Sequence, residues 1–430
     1  MSKIIIVGGG VIGLASAYYL RKKGHEIVII DKGELGGECS SGNMGWVCPT
    51  LSDPVPAPGL MKTSLKWMMK RDSPLYIKPS AVPSLSGWLY HFWRYCNEDS
   101  YKKGFKAGLE LSKETFGLFD ELLSDSTIEF EEHRQGLLFV FLKEDYIEEK
   151  YQSYRIVEQY GLPSPVKKSK NEVLKMEPNL SENVAGGLFL PAERHVRPES
   201  FTNALANWLL DNGVEMKPYK EVTDFLIRDN KVTAIKIGQE TIEGDQVLVT
   251  TGAWAGKMLD KVGIRLPLTA GKGYSLTINS PSTQFSQPLY LGDSRVTISP
   301  FKDAVRLGGT MEMSGINTEL DPRRIEGLRS SASQYLKTPI TGKEEAWTGM
   351  RPMTPDGLPV LGHVPTINNM YIATGHAMSG ISMSLSTGWA MSELITTGKS
   401  SINLEPFAPN RFMANVSNES NEQISFIESK

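Results

Sequence analysis

Apolar residues fall along this chain in short, sharply bounded runs, and the runs alternate between two periods. Ile4-Ile5-Ile6-Val7 is a β-branched run closed at once by glycines, as a strand buried on both faces requires. From Val11 to Lys22 the period becomes helical, with Ala15, Ala17, Tyr18 and Leu20 among its apolar positions. Ile27-Val28-Ile29-Ile30 is a second buried strand and ends in Asp31. A β-strand, a helix and a second strand are thus predicted within about thirty residues.

Further along, helical spacing predicts helices over 101–124, 144–160 and 198–212, with Gly213 closing the last, and over 325–336. Strands are predicted at 136–141 and 188–190. The alternating stretches 222–227, 231–237 and 241–243 form a β-meander. It leads to a buried strand at 246–249 that runs into Thr251-Gly252-Ala253. A second strand-rich unit contains Gly273–Ile278, Val296–Ser299 and Val305–Gly309. Prolines and glycines across 345–362 predict a rigid, irregular path with Arg351 in its middle. A last short strand, Met370–Thr374, ends at Gly375, and Gly380 starts a helix carrying Ile381, Leu385 and Trp389. Trp88, Tyr90, Phe92, Trp93 and Tyr95 form a dense aromatic cluster, read as mostly core with one or two rings facing a pocket. Residues 60–71 carry an apolar face with Lys62, Lys66, Lys70 and Arg71 elsewhere, a pattern that suits either a packed helix with a solvated basic edge or one lying on an anionic membrane surface.

Composition narrows the classes. With 46 Lys+Arg against 49 Asp+Glu the net charge is −3, which gives no electrostatic case for a nucleic-acid partner. Cys39, Cys48 and Cys96 form no CxxC pair and are expected as reduced thiols, and no metal site is assigned. The first apolar run is too short for a signal peptide, so a cytoplasmic location is expected, with peripheral contact to the inner face of the membrane left open by the basic helix.

The candidate chemistry begins in the first turn. Gly8, Gly10 and Gly13 make G-x-G-x-x-G between the first strand and helix, and Asp31 ends the next strand. The first glycine permits the tight turn, the second admits a pyrophosphate and the third lets helix and strand pack closely, while phosphates sit on N–H groups of Val11 and Ile12 at the helix start. Asp31, followed by Lys32, is placed for an adenosine ribose and would repel a 2′-phosphate, which disfavours NADP. FAD and NAD both fit the fingerprint itself. The small, hydroxyl-rich stretch Ser40-Ser41-Gly42-Asn43 at the carboxyl edge of a parallel sheet suits a bulky ring and its ribityl phosphate.

The fingerprint, the Ser40-Ser41 loop, the Thr251-Gly252 strand end and the Arg351/Gly375 region together resemble the FAD-dependent D-amino acid dehydrogenase and glycine/sarcosine oxidase superfamily over residues 1–410. The stretch from Ala57-Pro58-Gly59 through Leu65-Lys66-Trp67-Met68 to Ser73-Pro74-Leu75, and WTGMRPMTPDGLP at 347–359, bring it nearest to the bacterial D-amino acid dehydrogenases. The resemblance implies an α/β fold in which a Rossmann-type FAD-binding domain (1–86, 191–267 and 346–415) is interleaved with an α+β substrate domain on a mixed or antiparallel sheet (87–190 and 268–345), followed by a mobile tail (416–430). It implies that Val222 meets the adenine through its backbone, and that Gly375 and Gly380-Ile381-Ser382 face the flavin pyrimidine edge. It further implies that Arg351 binds the substrate carboxylate. The chain lacks the cysteine and histidine positions of covalent relatives, so noncovalent FAD is expected. Met378 and Thr297 stand where glycine oxidases carry a second arginine and a tyrosine, which favours a larger or less polar substrate than glycine, with Tyr274 as a compensating hydroxyl. His376 is expected to be structural.

The expected reaction is oxidative deamination of an amino acid, most of all a D-amino acid, to a 2-oxo acid and ammonia by hydride transfer to flavin N5. The alternatives are an oxygen-using oxidase of secondary amines such as sarcosine, proline or hydroxyproline, and an accessory flavoprotein subunit. Oxygen, a quinone and a carrier protein all remain open as electron acceptor.

Overall fold

The computed structural model describes residues 1–60 and 75–412. All but the first residue of the basic 60–71 segment, and the tail beyond 415, lie outside these residues. Among those described, the strands Glu215–Lys217, Glu26–Ile30, Lys3–Val7, Gln246–Val249, Met370–Thr374 and Val360–His363 form one sheet in that order. Its pairs are parallel except the last. The unbroken apolar run of the first strand follows from burial on both faces. Ile4 and Ile6 pack with the helices Val11–Lys22, Pro198–Asp211 and Ser384–Thr397, while Ile5 and Val7 pack on the opposite face with the meander and the helix Ala255–Asp260. Gly388 lets the last long helix touch the first, since a Cβ there would meet the Ala15 carbonyl carbon at 2.6 Å.

A second, mixed sheet runs Lys343–Met353, Thr269–Asn279, Ala304–Met313, Val296–Pro300, Leu289–Leu291, Leu137–Phe141, Gly186–Leu190 and Val166–Ser169, with Leu75–Ile77 pairing alongside Ala304–Met313. The expected mixed α/β architecture is therefore present. The meander is Asp224–Arg228, Lys231–Ile237 and Glu240–Glu243.

Several local expectations are corrected. The helix read over 101–124 is two, Glu98–Ser112 and Thr115–Ser124, because Thr115 turns inward and donates to Ser382 O at 3.1 Å. Both pack into the core of the first sheet through Leu111, Phe119 and Leu122. The 144–160 stretch is a helix, Glu144–Tyr154, that tightens to a 3₁₀ turn ended by Gly161 at φ 75°. The 325–336 helix begins earlier, at Pro322, capped by Asp321. The stretch through Arg351 is not irregular: Lys343–Met353 is a regular strand. It lies at the sheet edge, where Pro352 costs no ladder bond. Finally, the aromatic cluster is mostly not core. Of the five cluster rings in the helix Val82–Tyr95 only Phe92 is buried, and Tyr90 and Trp93 are 50% and 57% exposed.

Candidate active site

A single cavity of about 1280 Å³ runs from the glycine turn of the first sheet to the face of the second. At one end it is lined by Gly8, Gly10, Val11, Ile12, Asp31, Lys32, Val222, Thr251 and Gly252. Gly8 sits at φ 111°, and a Cβ there would lie 2.6 Å from Thr250 O, so only glycine closes this turn. Gly13 does not line the cavity; it packs the helix onto the strand, its hypothetical Cβ falling 2.0 Å from Gly8 O. Gly10, the N-cap of Val11–Lys22, has no side-chain cap of its own, and Ser40 Oγ accepts from Val11 N at 3.0 Å. Asp31 accepts from Gly9 N and Gly33 N, both at 2.7 Å, which orients the carboxylate at the cavity wall. Lys32 Nζ lies 3.6 Å over the Trp254 ring. The Thr251 hydroxyl is buried beside this wall with no hydrogen-bond partner among the described residues.

The middle of the cavity is the loop after Ile30. Ser40, Gly42 and Asn43 line it; Ser41 does not, because its hydroxyl turns back to Glu38 O at 3.1 Å. Asn43 is spent on shaping the loop, donating to Ser40 O at 2.9 Å and accepting from Gly45 N at 2.7 Å. Ser275 Oγ donates to Gly42 O at 2.7 Å and ties the loop to the second sheet. Gly380, Ile381 and Ser382 line the same region, but they form turns ahead of a helix that starts only at Ser384. Gly375 stays out of the cavity, at φ 80° against Thr354. The expected helix N-terminus at Gly380 is thus corrected to a turn that leads into one.

The far wall is one face of the second sheet. Gly273 and Gly349 are cross-strand partners, and both leave space that neighbouring side chains occupy. A Cβ on Gly273 would lie 2.4 Å from Arg351 Cζ, and one on Gly349 would lie 2.1 Å from Trp347 Cη2. Arg351 therefore lies flat along its strand partner. Its Nη1 donates to Thr310 O at 2.8 Å, and the rest of the guanidinium fork has no further hydrogen-bond partner among the described residues. Among the described residues no carboxylate lies within ion-pair distance of it, and burial draws its pKa below the ordinary arginine value. Thr310 is presented by a β-bulge: the register shifts between Lys272 and Tyr274, and Thr310 takes φ 55°. Substituting Gly273→Ala is expected to push the guanidinium aside and to weaken binding of a carboxylate anion in the cavity about tenfold to a hundredfold, which calorimetric titration checks.

Tyr274 touches the cavity wall, but its hydroxyl does not face the space beside Arg351. It occupies the alternate position on its strand, so its ring enters the core behind the sheet and its hydroxyl donates to Glu312 Oε2 at 2.7 Å. Met44, Trp46, Trp347 and Thr310 line the cavity and were not read from the sequence as site residues, whereas Trp88 and Phe92 of the aromatic cluster are the rings that face it. Of these, Thr310 had a legible signal, the Gly308-Gly309 pair inside a strand pattern.

His376 lines the cavity from a buried position, with Nε2 3.0 Å from Thr387 Oγ1. Burial lowers its pKa from 6.5 to about 3. Its contribution to stability is therefore complete above the unfolded value and is lost as pH falls from 6.5 toward 3. The thermal-midpoint difference between wild type and His376→Gln is expected to shrink over that window and to stay constant above pH 7 (about half a unit beyond the ordinary imidazole value).

Similarity to known proteins agrees with this architecture. A family model described as FAD dependent oxidoreductase (DAO) matches residues 3–394. A D-amino acid dehydrogenase of Allorhizobium ampelinum is 30% identical over 423 residues, covering 96% of this chain and 99% of its own. One from Methylobacterium nodulans is 30% identical over 403 residues, covering 92% and 95%. In fold, the chain matches glycine oxidase from Geobacillus kaustophilus with a TM-score of 0.76 at 24% identity, covering 96% and 99% of the two chains. It also matches L-proline dehydrogenase from P. horikoshii with a TM-score of 0.75 at 19% identity, covering 96% and 98%.

Proposed function

We propose, from the premise that this chain belongs to the DAO family of FAD-dependent oxidoreductases, that it oxidatively deaminates D-amino acids to 2-oxo acids and ammonia. The observation that carries the reading is Arg351: a desolvated guanidinium facing the cavity, with one backbone carbonyl as its only protein partner among the described residues. Such a group is incomplete without an anion, and a planar fork suits a carboxylate held by two parallel bonds. The two D-amino acid dehydrogenases similar over nearly the whole chain support both the substrate class and the dehydrogenase reading.

The residues present fit FAD. The glycine turn and the start of the first helix, where Ser40 Oγ already accepts from Val11 N, would take the pyrophosphate, Asp31 the adenosine ribose and the Val222 backbone the adenine. The Ser40–Asn43 loop and the Gly380–Ser382 turn would flank the flavin. When bound, FAD supplies the two-electron acceptor for the carbon next to the amine. The protein's part is to anchor the carboxylate on Arg351, to hold the substrate against the glycine-lined sheet face, and to exclude water. Trp347 roofs Gly349, and the stacked pair Trp88 and Phe92, with ring centroids 5.0 Å apart, closes another side. His376 is kept neutral by burial and serves packing, since a neutral amine needs no enzymic base.

Noncovalent attachment is favoured by the thiols at the cavity wall. Burial pushes Cys39 up to about 11 and Cys48 well above its ordinary value, so neither presents a thiolate. Turnover of D-amino acids by the isolated chain with an artificial acceptor, read as ammonium and 2-oxo acid, tests the function. Absence of both products with every D-amino acid overturns it.

A further inference from the structure

The loop after Ile30 owes its shape to the second sheet. Arg306, on the strand Ala304–Met313, is 3% exposed and directs its guanidinium fork to three chain segments. Nη1 donates to Ser41 O at 3.0 Å and to Asn43 O at 2.7 Å. Nε donates to Thr277 Oγ1 at 2.9 Å on the neighbouring strand, and Nη2 donates to Glu199 Oε1 at the start of the helix Pro198–Asp211. Two serines of the same sheet continue the pattern. Ser275 Oγ donates to Gly42 O at 2.7 Å, and Ser299 Oγ donates to Met44 O at 2.8 Å. Every carbonyl from Ser41 to Met44 is thereby held on the sheet.

The peptide bonds of this loop are trans and planar, so each N–H points opposite to the carbonyl of the same peptide unit. Turning the Ser41, Gly42 and Asn43 carbonyls onto the sheet therefore turns the N–H groups of Gly42, Asn43 and Met44 away from it. None of these three N–H groups has a hydrogen-bond acceptor among the described residues, and all three residues line the cavity. The next one, Gly45 N, is already taken up by Asn43 Oδ1 at 2.7 Å. Three adjacent donors without acceptors, fixed at a cavity wall, suit the edge of a ligand rich in acceptor atoms.

We infer that Arg306 is a positioning residue for the flavin: by holding the loop carbonyls on the second sheet, it presents the loop N–H groups to the acceptor edge of the ring. The inference rests on the proposed seat of FAD beside this loop, and on nothing about the amino acid. Fixed donors at that edge bind the reduced ring more tightly than the oxidised one, because reduction adds negative charge to the acceptors and hydrogen bonds to charged groups are the stronger ones. Arg306 therefore bears on the midpoint potential as well as on affinity. Lysine is a poor substitute, since a single ammonium cannot serve Thr277, Glu199 and two loop carbonyls from one place.

The test uses the full chain with FAD and no substrate. Affinity for oxidised FAD is read by fluorescence titration, and the midpoint potential by reduction against a dye of known potential. Arg306→Met is expected to weaken oxidised FAD about tenfold and reduced FAD about a hundredfold, and that tenfold difference is a fall in midpoint potential of about 30 mV. Arg306→Lys is expected to lie between Arg306→Met and wild type. Ser275→Ala removes one carbonyl tie, leaves the Arg306–Glu199 pair intact, and is expected to shift the potential in the same direction by less. Tyr274→Phe, which removes a buried hydrogen bond behind the same sheet, is the control: its thermal midpoint is expected to fall with the potential unmoved. If Arg306→Met does not fold, Arg306→Lys and Ser275→Ala decide the question. Potentials unchanged in the Arg306 and Ser275 variants, or shifted equally in Tyr274→Phe, overturn the inference and leave the flavin seat intact. Failure of the wild-type chain to bind FAD overturns the seat itself, and the inference with it.

Discussion

Replacing Arg351 by alanine is expected to lower kcat/KM for D-amino acids by roughly a hundredfold to a thousandfold while the protein remains fully loaded with flavin. The size follows from what is lost. A buried, charge-assisted, two-point contact to a carboxylate is removed, and the anion is left in a cavity that no longer compensates it. Arg351→Lys keeps the charge but not the fork, and is expected to recover only a small part of the loss. Flavin retention follows from position. Among the described residues Arg351 bonds only to Thr310 O, on the sheet proposed to face substrate, while the proposed dinucleotide cradle is built on the other sheet from Gly8, Gly10 and Asp31. Wild-type kinetics in Arg351→Ala, or loss of flavin with it, contradicts this division of labour.

The second large effect belongs to Gly10. Its φ of −73° suits any residue, and a Cβ would meet only the Ser40 hydroxyl at 3.1 Å, a group that can turn aside. Gly10→Val is therefore expected to fold, yet to place its methyl groups where the pyrophosphate must approach, weakening FAD on the order of a hundredfold or more. The purified variant is expected to be colourless, with the far-UV spectrum of wild type. Gly13→Val is the contrast. Its Cβ would fall 2.0 Å from the Gly8 carbonyl oxygen, so it is expected to lose the fold and the cofactor together. Fluorescence titration with FAD and thermal melts separate the two cases.

The parts of this molecule that were legible in the sequence are those fixed by local chemistry. The fingerprint at Gly8–Gly13 and the two-face burial of Ile4–Val7 follow from short-range sterics and periodicity, as does the αL closure at Gly213. Arg351 was legible as a residue but not as part of a strand. The prolines around it suggest a loop, and only the edge position of Lys343–Met353 makes Pro352 harmless. Tyr274 shows the complementary limit. Which face a strand residue occupies depends on a register set by distant partners, so its hydroxyl fell to Glu312 rather than to the cavity. Gly308-Gly309 marks an irregular strand beside Thr310, but nothing in the local spacing announces that the Thr310 carbonyl accepts from Arg351, 41 residues further along.

The most direct measurement is anaerobic mixing of the flavin-loaded protein with D-amino acids, glycine, sarcosine and proline, followed by admission of air, with flavin absorbance as the readout. D-Amino acids are expected to bleach the flavin, and colour is expected to return slowly in air. Bleaching by sarcosine or proline alone, with rapid recovery and formation of peroxide, would contradict that reading and identify an amine oxidase.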